Sequence, residues 1–266
     1  MKKKLGKMEA QLLAYCQMRD LRCVRTGELI DPLHITAKQE RELFGRMVRA
    51  GIIAQVRRGL YLVPSRLPLG GRWSPDEILA LDTLIQDRQG KYQICGPNAF
   101  NRYGFEGQIP TRVYAYNNRL SGDRTIGAVE LTLIKVADER LGSTEEVQTP
   151  AGLMAVYSSR VRALVDAVYD WSRFNSLPRG YDWIRQELSA GRVKTSELVR
   201  VAVRYGNQGT LRRIGALLER EGVRNRLLRE IERALNSSKS VITWVPGRPR
   251  RGIMSKRWGV ILNEQY

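Results

Sequence analysis

Between Thr36 and Pro64 the chain reads TAKQERELFGRMVRAGIIAQVRRGLYLVP. Its first half places Lys38, Gln39, Arg41, Glu42 and Arg46 close together. Glutamine can bridge an adenine edge and arginine a guanine edge, each with two hydrogen bonds, so these residues can read base pairs in a major groove. The second half carries Arg57-Arg58-Gly59. Two cations at a tight turn would meet backbone phosphates or a minor groove. Thr36 opens the segment, where its hydroxyl and backbone N–H could take a phosphate. A plain solvated hairpin, kept basic against edge pairing, remains open for Arg57 and Arg58.

Such chemistry needs a rigid helix and a hairpin. Thr36 to Gln39 has the spacing of a capping box, and Leu43, Phe44, Met47 and Val48 then form one apolar face. At about 100° per residue, the opposite face is centred on Lys38, Glu42, Gly45 and Arg49. Gln39 and Arg46 flank it on one side and Arg41 on the other. Gly45 would let helix and groove floor approach closely. Gly51 falls where a left-handed helix end suits glycine. Ile52–Val56 and Leu60–Val63 read as the two strands of a wing, and Leu43, Phe44, Met47, Val48, Leu60 and Leu62 as core.

The preceding residues supply the rest of a winged helix-turn-helix. Lys7–Met18 has helical apolar spacing, Cys23-Val24 suits a short strand, and Thr26–Ile30 a short helix that Asp31-Pro32 would end. Charge agrees with a polyanion partner. There are 45 Lys+Arg against 27 Asp+Glu, a net +18, which points to nucleic acid or an anionic surface, or to a merely solvated basic exterior. No apolar run is long enough for a membrane helix, and Lys2-Lys3-Lys4 is not followed by the apolar stretch of a signal peptide. Cys16, Cys23 and Cys95 lack C-x-x-C spacing, and His34 is the lone histidine. Neither a disulfide framework nor a metal site is expected, no cofactor box is found, and a reduced cytoplasmic setting follows.

Residues 67–73 read as a linker between a domain at 1–66 and a larger one at 74–266. Ser74-Pro75 would open a helix carrying Ile78, Leu81, Leu84 and Ile85. Strand-like pieces follow at Tyr92–Cys95, Arg112–Tyr116 and Ala128–Val136, with a short helix at Pro97–Tyr103 and a Gly/Asp turn over 120–127. Helices are expected at Ser159–Trp171, Tyr181–Leu188, Ser196–Tyr205, Leu211–Glu221 and Arg226–Leu235. Val241–Trp244 and Trp258–Ile261 close the chain as strands around a basic turn. The fold class is α+β: an N-terminal winged helix-turn-helix, then a mixed domain with a strand-rich first half and a helical second half.

Several motifs resemble those of AbiEi-type antitoxins. They are Arg58-Gly59-Leu60-Tyr61-Leu62-Val63-Pro64, Ile94-Cys95-Gly96-Pro97-Asn98-Ala99, Thr149-Pro150-Ala151-Gly152, Leu164-Val165-Asp166 and Arg212-Arg213-Ile214-Gly215-Ala216-Leu217-Leu218-Glu219. In order they cover most of residues 10–225. The resemblance implies a transcriptional autoregulator and antitoxin of a bacterial type IV toxin–antitoxin, abortive-infection system. It implies binding to inverted repeats in the operon's own promoter. It also implies a C-terminal domain that opposes a nucleotidyltransferase-like toxin without a stable complex, in a cytoplasmic protein found at the nucleoid when on DNA. The tail after Leu235 lies outside these motifs.

A second basic surface is expected from Arg212 and Arg213, which could hold phosphate or toxin-related RNA, or pair with Glu219 or Glu221. The turn with Arg248, Arg250 and Arg251, plus Lys256 and Arg257, could be another backbone strip or a generic basic loop. Two other functions stay open: a winged-helix regulator whose C-terminal domain senses a ligand or dimerises, and a nuclease or RNA-modifying enzyme. No established catalytic motif supports an enzyme. The nearest run, Asp123 with Glu130 and Lys135, sets its Glu and Lys on opposite strand faces.

Overall fold

A computed structural model describes residues 5–66, 72–236 and 240–264. Most of the expected linker, 67–71, and the Lys2-Lys3-Lys4 run lie outside them. The first elements are α1 (Lys7–Met18), β1 (Cys23–Arg25), α2 (Ile30–Leu33), α3 (Ala37–Arg49), β2 (Ala54–Arg57) and β3 (Leu60–Leu62). After α4 (Glu77–Gln86) come β4 (Tyr92–Ile94), α5 (Pro97–Arg102), β5 (Val113–Asn117), β6 (Gly122–Ile126) and β7 (Val129–Lys135). Next are β8 (Thr144–Gln148), β9 (Met154–Ser158), α6 (Arg160–Tyr169), α7 (Trp171–Phe174), α8 (Arg179–Ser189) and α9 (Thr195–Tyr205). The chain closes with α10 (Gln208–Arg220), α11 (Asn225–Arg233), β10 (Ile242–Thr243), β11 (Ile253–Ser255) and β12 (Val260–Leu262).

Two compact units form. The first takes Met1–Tyr92, Thr111–Leu141 and Val147–Ala155, and the second takes Gln93–Pro110, Gly142–Glu146 and Val156–Tyr266. In the first unit the winged helix folds around Leu12, Leu13, Cys16, Val24, Leu29, Leu43, Phe44, Met47, Ile53 and Val63, all buried. Each large apolar side chain so buried contributes about 1.5–3 kcal/mol. Phe44 also stacks on Tyr61, ring centres 4.3 Å apart. Val48, expected in the core, is half-buried.

Local signals set these elements. The Thr36 hydroxyl accepts the Gln39 N–H at 3.2 Å, and the Gln39 side chain accepts the Thr36 N–H at 2.8 Å, which closes the capping box. At the other end of α3, Gly51 adopts φ +69°. The N–H of Ile52 returns to the Met47 carbonyl and that of Gly51 to Val48, both at 2.9 Å. This double return uses orphan carbonyls and turns the chain into the wing. The wing closes through Arg58-Gly59, with Gly59 at φ +82° and a bulge between Gln55 and Arg57. Arg57 therefore belongs to the strand, and the turn is one residue shorter than the sequence suggests.

Three local expectations need correcting. The second helix spans Ile30–Leu33 rather than Thr26–Ile30, because Pro32 sits in its first turn, where a missing N–H is harmless. Helix α4 starts at Glu77, not after Ser74: the Asp76 carboxylate accepts the N–H groups of Ile78 and Leu79 at 2.8 and 3.3 Å and out-competes the Ser-Pro signal. Residues Gly122–Ile126 are a strand, not a turn, paired with β7 from Gly122↔Leu133 to Ile126↔Val129. Its exposed, polar composition is that of an edge strand. Strand β5 pairs in parallel on the other side of β7.

In the second unit β4 pairs in parallel with β9, and the helices gather around α6. Arg162 and Asp166 are fully buried on α6 and joined at 2.9 Å. The second guanidinium arm of Arg162 donates to the Gly142 carbonyl at 3.0 Å, so the pair is satisfied. The terminal strands order as β10-β12-β11, with β10 parallel and β11 antiparallel to β12. Among the described residues no helix is long and apolar enough to cross a membrane.

Candidate nucleic-acid interface

Helix α3 is seated by one carboxylate. Glu40 is fully buried, and its oxygens accept the N–H groups of Gly27 and Leu29 at 2.7 and 3.0 Å. Both donors precede α2, so this side chain ties the turn before α2 to α3. Sequence reading missed it because a glutamate between Gln39 and Arg41, in a run of polar residues, looks solvated. Its phase on the same face as Leu43, Phe44 and Met47 was the available signal.

With that face anchored, Lys38, Arg41, Glu42, Arg46 and Arg49 are exposed. Arg46 makes only a loose pair with Glu9, at 3.8 Å. A Cβ built on Gly45 would meet nothing closer than the Arg49 guanidinium at 3.6 Å, so packing does not demand glycine there. Gln39 and Thr36 are exposed but occupied. The Gln39 amide oxygen accepts from both the backbone N–H and the hydroxyl of Thr36, at 2.8 and 3.1 Å. Only its amide NH2 is left to donate, so a two-point adenine contact would have to break the cap.

At the wing the expected pair divides. Arg58 is exposed, with no side-chain partner among the described residues. Arg57 instead gives two hydrogen bonds to Asp87, at 2.5 and 2.7 Å, and a third to the Arg58 carbonyl at 2.7 Å. The register explains this. Arg25 and Arg57 both stand opposite Leu60, so the three occupy one row across the sheet and project from one face. That face meets α4, whose C-terminal residue Asp87 also takes Arg25 at 2.8 Å. An anion at the negative end of a helix is unfavourable alone. The Arg57 hydrogen bond, with Arg25, outweighs burial and holds the Asp87 carboxyl at about 2, against an ordinary value of 3.8.

The second basic surface is largely a seat for the C-terminal strands. Arg212 and Arg213 are buried. They donate to the carbonyls of Ser240 and Thr243 at 2.6 and 3.2 Å, and burial lowers the Arg213 pKa. Gly215 leaves room for the Trp258 ring, since a Cβ there would lie 2.4 Å from it. Glu219 accepts the Trp258 indole N–H and one arm of Arg257, both at 2.9 Å. Arg257 also grips Glu232 at 2.7 Å. The Arg212–Glu219 motif thus docks the very tail that lay outside the recognised motifs. Arg212, Arg213 and Arg257 are withdrawn from any exposed strip, and Glu221 pairs with Arg185 instead. Arg248 donates to the Glu264 carbonyl at 2.7 Å, while Arg250, Arg251 and Lys256 remain exposed.

The nuclease-like carboxylates are also occupied. Arg112 reaches Asp123 at 3.2 Å and Glu130 at 2.8 Å, and Asp123 accepts the Thr132 hydroxyl at 2.8 Å. Among the described residues no group of His, Cys, Asp and Glu could hold a metal ion. Cys16 and Cys95 are buried and Cys23 is exposed, and none of the three is in a disulfide.

Residues 11–64 match the model of a family described as transcriptional regulator, AbiEi antitoxin. The match falls on the winged helix-turn-helix built above, from within α1 to just past β3. No curated protein matches the chain. The crystal structure of the RV2827C protein from Mycobacterium tuberculosis superposes with a TM-score of 0.60 at 14% identity, over 98% of this chain and 92% of that one. At that identity the likeness is one of fold.

Proposed function

We propose that this protein is a sequence-specific, double-stranded-DNA-binding repressor of its own operon. Helix α3 lies in the major groove of an inverted repeat, and the Arg58 tip of the wing meets backbone phosphate. One observation carries the reading: the outward face of α3 holds Lys38, Arg41, Glu42 and Arg46 on a helix whose inner face and both ends are fixed. A regulator and antitoxin family covering this domain supports it. We further propose that the remainder of the chain acts as antitoxin to a nucleotidyltransferase-like toxin encoded nearby, without a stable complex. Such a protein would work in the bacterial cytoplasm, at the nucleoid when on DNA, and would need no catalytic step of its own.

A gel-shift on the protein's own upstream region tests the first half. Arg41→Ala and Arg46→Ala should each cost about 1–3 kcal/mol where they meet a base. Arg58→Ala should weaken binding more uniformly and flatten its salt dependence. Wild-type binding by all three variants would refute the assignment. Co-expression with the neighbouring toxin-like gene tests the second half, with rescue of growth as the expected result.

A further inference from the structure

Several arginines of the second unit are committed to carboxylates. Arg160 and Arg192 share Glu187, Arg162 holds Asp166, and Arg185 spans Asp182 and Glu221. The α9–α11 face departs from this pattern. Lys194 at the N-cap of α9 and Arg200 and Arg204 on it are exposed, and on α11 so are Arg226 and Arg233. Among the described residues none of the five has a carboxylate partner; Arg204 only lies 5.8 Å from the Tyr205 ring centre.

The two helices pack side by side. Lys194, Arg200 and Arg204 line an open cleft of about 1020 Å³ together with Glu197 and Glu230. Arg226 and Arg233 lie one turn before and one turn after Glu230, on its side of α11. Five cations and two anions leave the face positive, and the repulsion among unpaired cations is relieved by a polyanion.

The carboxylates narrow the class. Glu197 and Glu230 have no cationic partner among the described residues, so inside the cleft they are free to accept hydrogen bonds. A DNA sugar–phosphate strand offers no donor there, whereas RNA presents a 2′-hydroxyl on every nucleotide. We propose that the α9–α11 cleft is a docking surface for RNA. Phosphates lie along the Arg200/Arg204 and Arg226/Arg233 rims, and sugar hydroxyls donate to Glu197 and Glu230. The proposal uses second-unit residues alone and is independent of the operator reading.

The test titrates the full chain with a labelled RNA hairpin and with the DNA hairpin of the same sequence, over a range of salt. With Arg41→Ala/Arg46→Ala in place, so that α3 adds little DNA affinity, the chain should bind the RNA about tenfold more tightly than the DNA. Arg200→Ala/Arg204→Ala/Arg233→Ala should lose about tenfold in RNA affinity and about two from the log–log salt slope. Glu197→Ala/Glu230→Ala should bring the two hairpins to similar affinity. Because none of these side chains is buried, an unchanged thermal midpoint identifies folded variants. RNA affinity untouched by the triple substitution overturns the proposal, as does equal binding of both hairpins by the Arg41→Ala/Arg46→Ala chain. Arg41→Ala/Arg46→Ala should leave RNA binding intact, so either reading can fail without the other; RNA binding lost in that variant assigns it to α3 and also overturns the proposal.

Discussion

Asp87 holds Arg57 through two hydrogen bonds, at 2.5 and 2.7 Å, from the end of a helix outside the winged domain's own sequence. The Asp87 side chain is 4% exposed and that of Arg57 36%. The wing is therefore braced against α4 by a cation that its sequence offers to DNA.

The first prediction concerns this brace. The Asp87 carboxyl is depressed from 3.8 to about 2, chiefly by its hydrogen bond to Arg57. Its contribution is thus present above about pH 4 and is lost as pH falls toward 2. After allowance for the half-open guanidinium it is on the order of 1 kcal/mol. Asp87→Asn should lose that stability at neutral pH and show a flatter acid limb in denaturant titrations. Arg57→Ala should resemble it while operator affinity stays within about threefold of wild type. An Arg57→Ala variant with intact stability and abolished binding would reverse the assignment.

Gly45 gives a second, two-sided prediction. Glycine costs a helix interior up to about 1 kcal/mol relative to alanine, and nothing in the fold requires it. Gly45→Ala should raise the thermal midpoint and, where α3 approaches the groove floor, weaken operator binding. A rise in both stability and affinity would remove close approach as the reason for the glycine.

For Gln39, capping and base reading can be separated. Gln39→Glu keeps an acceptor for the Thr36 N–H and should preserve α3, whereas Gln39→Ala should cost about 1 kcal/mol by opening the cap. Operator binding by the Glu variant near wild-type level is the expected result at moderate salt. Complete loss in that variant, with stability intact, would show that the side chain leaves the cap to read a base.

In the second unit, Gly215→Ala would drive a methyl into the Trp258 ring. It should destabilise by about 1–3 kcal/mol and increase protease access to the C-terminal strands. Neither its operator affinity nor its salt dependence should change much. Native-like resistance to proteolysis would mean that the tail is not held through this contact.

Legibility followed the range of the interactions. The α3 cap, its double-return end at Gly51 and its apolar stripe are contacts within a few residues, and each could be read directly. Strands β8 and β9 were not anticipated, because Thr144–Gln148 is almost wholly exposed and its edge position leaves no alternation to detect. Arg212 and Arg213 looked like surface charge; their carbonyl partners lie about thirty residues away and are invisible to local pattern. Asp87 was hidden for the same reason, although an acid ending a helix was a local anomaly that called for a distant cation. The outward face of α3 was legible because inward and outward positions are fixed by period alone. The Gln39 conflict was legible too, once capping and reading were seen to need the same amide.

Glu40 separates what holds α3 from what α3 displays. Since the seat of α3 depends on one inward carboxylate and an apolar stripe, positions 38, 41, 42 and 46 can be exchanged without disturbing that seat. If α3 reads DNA as proposed, its outer edge is a replaceable key blank: diverging operators, or a designer, could recut it while the lock of the domain stays the same.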